Sequence, residues 1–598
     1  MGVNWTKTAE RLAWAGVPLL VFALFAAGIT DGHLGADDWG YTCGCPFVRD
    51  GLSWANVRAA FADPAHGAIW MPLTYVTYMA DISLFGGGWP VHHAVNVALH
   101  AVNAGLALAF LLAVVRRLLH RVGREASRGR TVAACALGAL VWALHPMRAE
   151  AVTYIASRKE ELWTLFALLG ALGWMRYQER GGARSALGVL ASFACSCLSK
   201  PTALCVPFLC LALQALLFDL RARRARLALP MLAGSALVGL LAVHSQMHPT
   251  GMASAEVFPA TLGWRLLNAA VSTGLYLWHA VAPSGIHLDY RAVFGGWPVD
   301  GLLGLGALAA AALASAAALL FCRGRLVRPV ILFAWGWFLL GLMPTLGVFG
   351  YVNGDQAAAD RYTYLPALAL SLPVALVLAR SVASGRRAPR LAWAAALALS
   401  AAEALAALPV IRSFRDDYAA FSRTLARDPD HWRALRIVGN EYCARRGRMD
   451  EGVRMLRRSL RERGSQQTAD SLAYVLSIRG AEGDFDEVRR LGAAIRREPR
   501  LDRGGMMLDA LGVVCMRERD YAEAVRLLQA AVGAPRRTHA LGHSLLNLAL
   551  SMANVGRTDE ALLILDDLAA SGDHPIARRA EVSAEAIRSG TAGEFGWR

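Results

Sequence analysis

Apolar runs of about 20 residues, the length a helix needs to cross the hydrocarbon core of a bilayer, recur from Leu12 to Arg412 and then stop. Residues 412–598 replace them with short amphipathic segments in which Arg and Glu alternate with Leu and Ala. The pattern predicts an all-α chain in two parts: a polytopic membrane domain over 1–411 and a polar helical domain over 412–598. The first run, Leu12 to Thr30, has no small-residue cleavage site behind it and reads as a retained span, not a removable signal peptide.

Short Arg-rich loops stay on the cytoplasmic side, so the Arg clusters set the orientation. They lie at Arg116–Arg130, Arg176–Arg184, Arg221–Arg226, Arg323–Arg328 and Arg380–Arg390. Placing each inside predicts eleven spans, near 12–30, 92–115, 131–146, 161–176, 185–199, 202–219, 227–246, 300–322, 330–349, 364–380 and 391–411. The N-terminus is then inside, the first outside loop covers 31–91, and the polar domain faces outwards. Leu262 to Pro283 is nearly long enough to span but carries Trp264, Arg265, Asn268, Tyr276, Trp278 and His279. It reads as an interfacial or re-entrant helix on the outer face; as a span it would reverse the parity.

The polar domain is periodic. Gly447-x-x-Asp450-Glu451 recurs as Gly483-x-x-Asp486-Glu487, as Arg519-x-x-Ala522-Glu523 and as Gly556-x-x-Asp559-Glu560, so the Glu residues are 36, 36 and 37 apart. A helical stretch with small residues on one face precedes each copy and an apolar-periodic stretch follows it. Two helices per unit, joined at a turn glycine, describe a stacking hairpin. The repeats resemble tetratricopeptide repeats, slightly lengthened, and such arrays bind peptides or partner proteins on a concave face.

Charge and composition refine this picture. The 62 Lys+Arg exceed the 46 Asp+Glu by 16, and 55% of residues are hydrophobic. In a soluble chain that excess would point to nucleic acid; here most of the Arg marks loop ends or covers repeat surfaces, and no nucleic-acid partner is expected. Ten cysteines are too sparse for a disulfide framework, and none has the CxxC spacing of a zinc site. The abundance of Ala and Arg looks bacterial, which places the chain in the cytoplasmic (inner) membrane with its repeats facing the periplasm or exterior. Lysine occurs only at Lys7, Lys159 and Lys200.

Candidate chemistry collects at the outer face. Asp37 and Asp38, in the first outside loop, are adjacent carboxylates suited to general-base work or to holding a cation. Trp70 lies further along the same loop. His93, Asn96, His100 and Asn103 share one face of the second span, a polar stripe that lipid would not tolerate and that lines a cavity or joins helices. His145 and Glu150, then Arg158 and Lys159, follow in the second outside loop; Lys200 stands at the third outside turn, and Arg361 with Tyr362 enters the tenth span. Four basic residues on the side where such charges are scarce call for an anion, and lipid phosphate is the anion at that depth.

In these motifs the chain resembles the multispan glycosyltransferases of the GT-C class, specifically the tetratricopeptide-repeat-containing transmembrane O-mannosyltransferase family and its bacterial relatives. The resemblance rests on Asp37-Asp38, Trp70-Met71-Pro72-Leu73-Thr74, the His93–Asn103 stripe, His145-Pro146 with Glu150, Arg158-Lys159-Glu160, Ser199-Lys200-Pro201 and Asp360-Arg361-Tyr362-x-Tyr364-Leu365-Pro366. It implies a GT-C-like membrane domain and transfer of a monosaccharide, such as a mannose-like hexose, from a polyprenyl-phosphate-linked donor. The acceptor would be a hydroxyl of a protein or envelope glycan outside the cytoplasm. Carried over, Asp38 in preference to Asp37 would be the base, and Arg158, Lys159, Lys200 and Arg361 would clamp the departing phosphate with inversion at the anomeric carbon. His93, Asn96, His100, Asn103, His145, Glu150, Trp70 and Tyr362 would line the cavity. No resident cofactor is required, although a divalent cation could assist the Asp pair. The alternative is a non-catalytic, membrane-anchored scaffold that gathers envelope proteins on its repeats. A transporter would concentrate its polar residues near the midplane, where these spans are almost free of charge.

Overall fold

The computed structural model describes residues 5–62, 69–123, 127–247, 261–291, 299–322, 324–348, 356–381, 387–444, 447–493, 495, 502, 504–534, 541–570 and 575–589. Residues 124–126, Arg323 and residues 382–386 of the Arg clusters lie outside them. The described chain is helical apart from a two-residue and a three-residue strand, and it divides into two compact units, 1–423 and 424–598.

The first unit contains α1 (Trp5–Phe25), then four helices in the first long loop: α2 (Gly35–Tyr41), α3 (Pro46–Arg49), α4 (Trp54–Ala62) and α5 (Pro72–Phe85). There follow α6 (Trp89–Arg121), α7 (Arg128–Ala143), α8 (Ala149–Thr153), α9 (Arg158–Arg180), α10 (Ala183–Ser199), α11 (Val206–Leu217) and α12 (Ala228–Met247). The last are α13 (Leu262–Val281), α14 (Val299–Phe321), α15 (Val327–Leu342), α16 (Leu368–Arg380) and α17 (Arg387–Ser413), and α18 (Asp417–Arg427) runs across the boundary at 423.

Six helices among the described residues are long and apolar enough to cross a membrane: Glu10–Gly28, Trp89–Arg121, Arg223–Ser245, Gly301–Phe321, Val327–Thr345 and Arg390–Ser413. Eleven were expected, so five of the expected spans are corrected. The stretch near 131–146 ends at Ala143 and continues, after a 60° bend, as Pro146–Thr153; counted as one broken span, the pair gives seven. Ala183–Ser199, Pro201–Leu217 and Leu368–Arg380 are apolar but short. The fifth, α9, opens on Arg158-Lys159-Glu160-Glu161 and closes on Arg176–Arg180, which dilutes its apolar middle. The physical reason is common to all five: buried polar turns cut the apolar runs where the chain builds its charged end. Leu262–Val281 forms a single helix packed on α14 so tightly that a Cβ on Gly274 would run into the carbonyl of Gly304.

The Arg-rich ends of α6 and α9 and the Arg-rich turn before α12 meet at one end. There Arg117 pairs with Glu179, the Arg121 guanidinium donates to the Leu216 carbonyl at 2.5 Å, and Arg224 donates to the carbonyls of Gln178 and Glu179 at 2.7 and 2.9 Å. At the other end Thr74 of α5 donates to the Ser199 carbonyl that closes α10. A core of Val, Leu, Ala, Phe and Trp side chains fills the space between.

The second unit pairs Trp432–Ala444 with Met449–Glu462, Gln466–Arg479 with Asp484–Leu491, Met506–Arg517 with Tyr521–Val532 and Leu541–Asn554 with Thr558–Ala570, and closes on Pro575–Arg588. The residue that opens each turn motif has a left-handed backbone: Gly447 (φ 61°), Gly483 (φ 79°), Gly556 (φ 83°) and, in the degenerate copy, Arg519 (φ 65°). Arg519 is the one non-glycine residue with positive φ among the described residues. A side chain there costs roughly 1–2 kcal/mol of backbone strain. Arg519→Gly should therefore raise the stability of this unit by about 1 kcal/mol, read as a higher thermal midpoint of the intact protein.

Candidate functional site

The short helix α2 carries Asp37 and Asp38 side by side, and helical geometry sends adjacent side chains in different directions. The Asp38 side chain is 0% exposed. One carboxylate oxygen accepts the Leu34 N–H and the other the Ala156 N–H, both at 2.7 Å. Burial pushes its pKa up to about 8, against these two N–H groups, which hold it down. Asp37 is exposed and accepts a hydrogen bond from the Tyr154 hydroxyl at 3.1 Å. The two carboxylates therefore do not form a joint ligand pair, and no group of three His, Cys, Asp or Glu among the described residues is placed to hold a metal ion.

The stretch 154–159 supports Asp37, Asp38 and a cationic group at once. Its Ile155 carbonyl takes the Tyr78 hydroxyl at 2.7 Å, and the Lys159 ammonium bonds back to the Ala156 carbonyl at 2.8 Å and stands over the Tyr41 ring. Lys159 lies within electrostatic range of Asp37, Lys200, Arg361 and Glu160. Lys200 is paired with Glu160, whose other oxygen takes the Trp163 indole N–H; Arg361 is paired with Glu150, which also accepts the Arg361 backbone N–H. Both cations stand over the Tyr362 ring, at 5.0 and 4.9 Å. Lys159 is buried as well, and among the described residues it has no carboxylate partner within ion-pair distance, which sets it apart from Lys200 and Arg361.

Arg158 belongs elsewhere. It is fully buried, and its guanidinium is taken up by Asp81 at 2.6 Å, the Asn96 side chain at 2.7 Å and the His92 carbonyl at 2.9 Å, with its plane over the Tyr78 ring. His92 donates to the same Asp81 carboxylate at 2.7 Å. Arg158, expected as a phosphate ligand, is thus held by the protein's own groups although it adjoins Lys159 in sequence.

The polar stripe of α6 is buried throughout, and each member has a separate task. His93 bonds the Gly32 carbonyl at 3.0 Å and pins the start of the loop; Asn96 holds Arg158. His100 donates through Nε2 to the Ala143 carbonyl at 3.0 Å, so its Nδ1 accepts the Tyr364 hydroxyl at 2.6 Å. Asn103 donates to the Glu161 carbonyl and to Tyr364. These contacts join helices. His145 caps the turn at Met147, and Trp70 bonds the Phe61 carbonyl within the loop, so neither reaches the Lys159 group through the bonds it makes.

Sequence reasoning missed Asp81 and the function of His92. A signal existed: Asp81 is the one carboxylate in the apolar run of α5, and an ionisable group in such a run seeks a partner. It also missed how Arg361 is held. Asp360 accepts the Tyr290 hydroxyl at 2.7 Å and lies 3.3 Å from His279, which fixes the turn that presents Arg361. Those partners are 70 and 81 residues away in sequence.

The fold and site together define a helical membrane protein with an exposed carboxylate beside a cationic cluster at one end of its bundle. No protein-family profile matches the chain. It is similar to the human protein O-mannosyl-transferase TMTC4, 34% identical over 122 residues, which is 19% of this chain and 16% of that protein. The mouse protein O-mannosyl-transferase TMTC4 is 31% identical over 112 residues, 18% of this chain and 15% of that protein. The chain thus matches only a small part of the length of these curated relatives. Among solved structures, yeast Tom70 aligns over 76% of this chain and 92% of its own, with 13% identity and a TM-score of 0.20.

Proposed function

We propose that this protein is an integral-membrane glycosyltransferase that moves a monosaccharide from a polyprenyl-phosphate-linked donor to an acceptor hydroxyl. The observation that carries the reading is the placement of exposed Asp37 next to Lys159, the cation with no carboxylate of its own, with Lys200 and Arg361 behind it. The partial similarity to proteins named O-mannosyl-transferases supports the same class. The gathered Arg-rich turns favour putting their end in the cytoplasm, which leaves the site, at the opposite end, on the outer face of the cytoplasmic membrane. The repeat unit then offers its helices to an acceptor or partner protein.

In this reading Asp37, and not Asp38, is the base. A general base must reach the proton it removes, and both Asp38 oxygens are buried on backbone N–H groups. The acceptor hydroxyl gives its proton to Asp37 as its oxygen bonds to the anomeric carbon. The bond from that carbon to the phosphate oxygen breaks, the electron pair leaves with the lipid phosphate, and displacement inverts the carbon. Lys159, backed by Lys200 and Arg361, stabilises the charge that grows on the phosphate. Asp38 holds α2 against Ala156 and so positions Asp37.

The test compares glycans of envelope proteins and lipids, by mass spectrometry, between a deletion strain and strains carrying Asp37→Asn or Lys159→Gln. Matching losses in the deletion and Asp37→Asn strains support the enzyme; a loss confined to the deletion strain favours a scaffold. Lys159→Gln should lower kcat/KM for the lipid-phosphate donor by about ten- to a hundredfold, the value of one charge-assisted contact of about 1.5–3 kcal/mol.

A further inference from the structure

We propose that the chain from Ile411 to Arg423, which ends α17 and opens α18, is a strap that holds both halves of the proposed site in register, with Gly32 and Arg423 as its positioning residues. One side of the strap lies on the segment that carries the aspartates. The backbone at Gly32 comes so close that a Cβ there would run into the Arg415 carbonyl, and a Cβ on Gly35, the first residue of α2, would stand 3.2 Å from either carboxylate oxygen of Asp417. Gly28 is closed in likewise against Thr153 and Ile411. The Asp417 charge reaches Asp38 itself. The other side of the strap bears on the turn that presents Arg361. The Arg423 guanidinium donates through Nε to the Ile286 carbonyl at 2.6 Å. Just beyond, Tyr290 pairs with Ala358 in the short two-stranded ladder and gives its hydroxyl to Asp360 at 2.7 Å, and Arg423 lies within electrostatic range of both Tyr290 and Asp360.

One helix serves both sides because of its period. Asp417 and Arg423 both belong to α18, about 9 Å apart along its axis and about 120° apart around it. The start of that helix is fixed: the Asp416 carboxylate accepts the Ala419 N–H at 2.7 Å as a cap, and Ile411, Phe414 and Ala420 are buried in the core of the first unit. A rigid element of this kind carries a displacement from one end to the other. A shift of α18 therefore reaches Asp37 through 28–35 and Arg361 through 286–290 together. A misplacement of about 1 Å at a reacting group costs about 10²-fold in rate, so base and phosphate clamp both depend on a helix that takes no part in the chemistry. The catalytic consequence rests on the proposed function; the linkage across the strap does not.

The experiment measures amide hydrogen exchange by mass spectrometry on the full chain in nanodiscs, for the native protein, Arg423→Met, Arg423→Lys and Gly32→Ala. Each variant is read on the far side of the strap. Arg423→Met should speed exchange in 34–41 about tenfold, the factor that one charge-assisted hydrogen bond contributes to a local opening. Arg423→Lys keeps a cationic donor and should restore most of the protection. Gly32→Ala, which displaces Arg415, should speed exchange in 284–291 and 356–363. Changes confined to the side of the substitution, or equal changes in the Met and Lys variants, overturn the strap. Transfer is read separately: Arg423→Met should lower kcat by about tenfold or more and raise the donor KM, with Arg423→Lys between it and the native protein. Faster far-side exchange with unchanged transfer overturns the positioning role. Absence of transfer by the native protein overturns the proposed function and leaves the linkage standing.

Discussion

Asp37→Asn is expected to lower sugar transfer by about 10²–10⁴-fold, the usual contribution of a general base, with the protein still folded and inserted. Asp37 is exposed and its recorded side-chain contact is with Tyr154, so little of the fold rests on it. Asp38→Asn differs in kind. The amide keeps one acceptor but turns its NH2 towards a backbone N–H, which loosens the contact between α2 and Ala156. Its signature is a pH dependence of stability. The folded pKa of Asp38, pushed by burial to about 8, exceeds the unfolded value of about 3.9. The folded state therefore holds the proton more tightly. That contribution is complete below about pH 4 and is lost as pH rises towards 8, by at most about 1.4 kcal/mol per unit. Asparagine does not titrate, so the stability of the native protein relative to Asp38→Asn should fall across that window. Thermal unfolding in nanodiscs at pH 5, 7 and 9 measures it, and a constant difference would count against the buried carboxyl.

The difference between the two aspartates marks the limit of what a linear reading reveals. An adjacent Asp pair at the start of the loop after the first apolar run is visible in the residues. Which member faces solvent depends on Ala156, whose N–H arrives from 118 residues away. The repeats were legible because each unit packs on its neighbours, and the period records that local contact; Arg519 even marks the strained turn. The spans were less legible. Hydropathy counts apolar residues, whereas α7, α9 and α10 are shortened by polar ends that the bundle buries on itself. Three of the four basic residues the sequence singles out take carboxylate partners on α5, α8 and α9 that spacing does not disclose.

Breaking the Arg158–Asp81 pair should be the most destabilising single change in the membrane unit. Arg158→Met leaves the buried Asp81 carboxylate without the guanidinium that pairs with it. Stranding a buried charge in this way costs about 3–5 kcal/mol. Asp81→Leu should cost a similar amount, since it strands Arg158 and unties His92. Removing both partners behaves otherwise, because a buried ion pair offsets little more than its own desolvation. The double variant Asp81→Leu/Arg158→Met should recover part of the loss. Thermal midpoints in nanodiscs for the two singles and the double test this order. If the losses of the two single variants simply add in the double, the pair is not a unit. Activity supplies the second readout: Arg158→Met should weaken transfer only through the 154–159 stretch, lowering kcat with little change in donor KM, whereas Lys159→Gln should lower kcat and also raise that KM, because the donor phosphate is already an anion when it binds. The two basic neighbours would then be separated by experiment as the fold separates them, one paired with Asp81 and the other without a carboxylate partner.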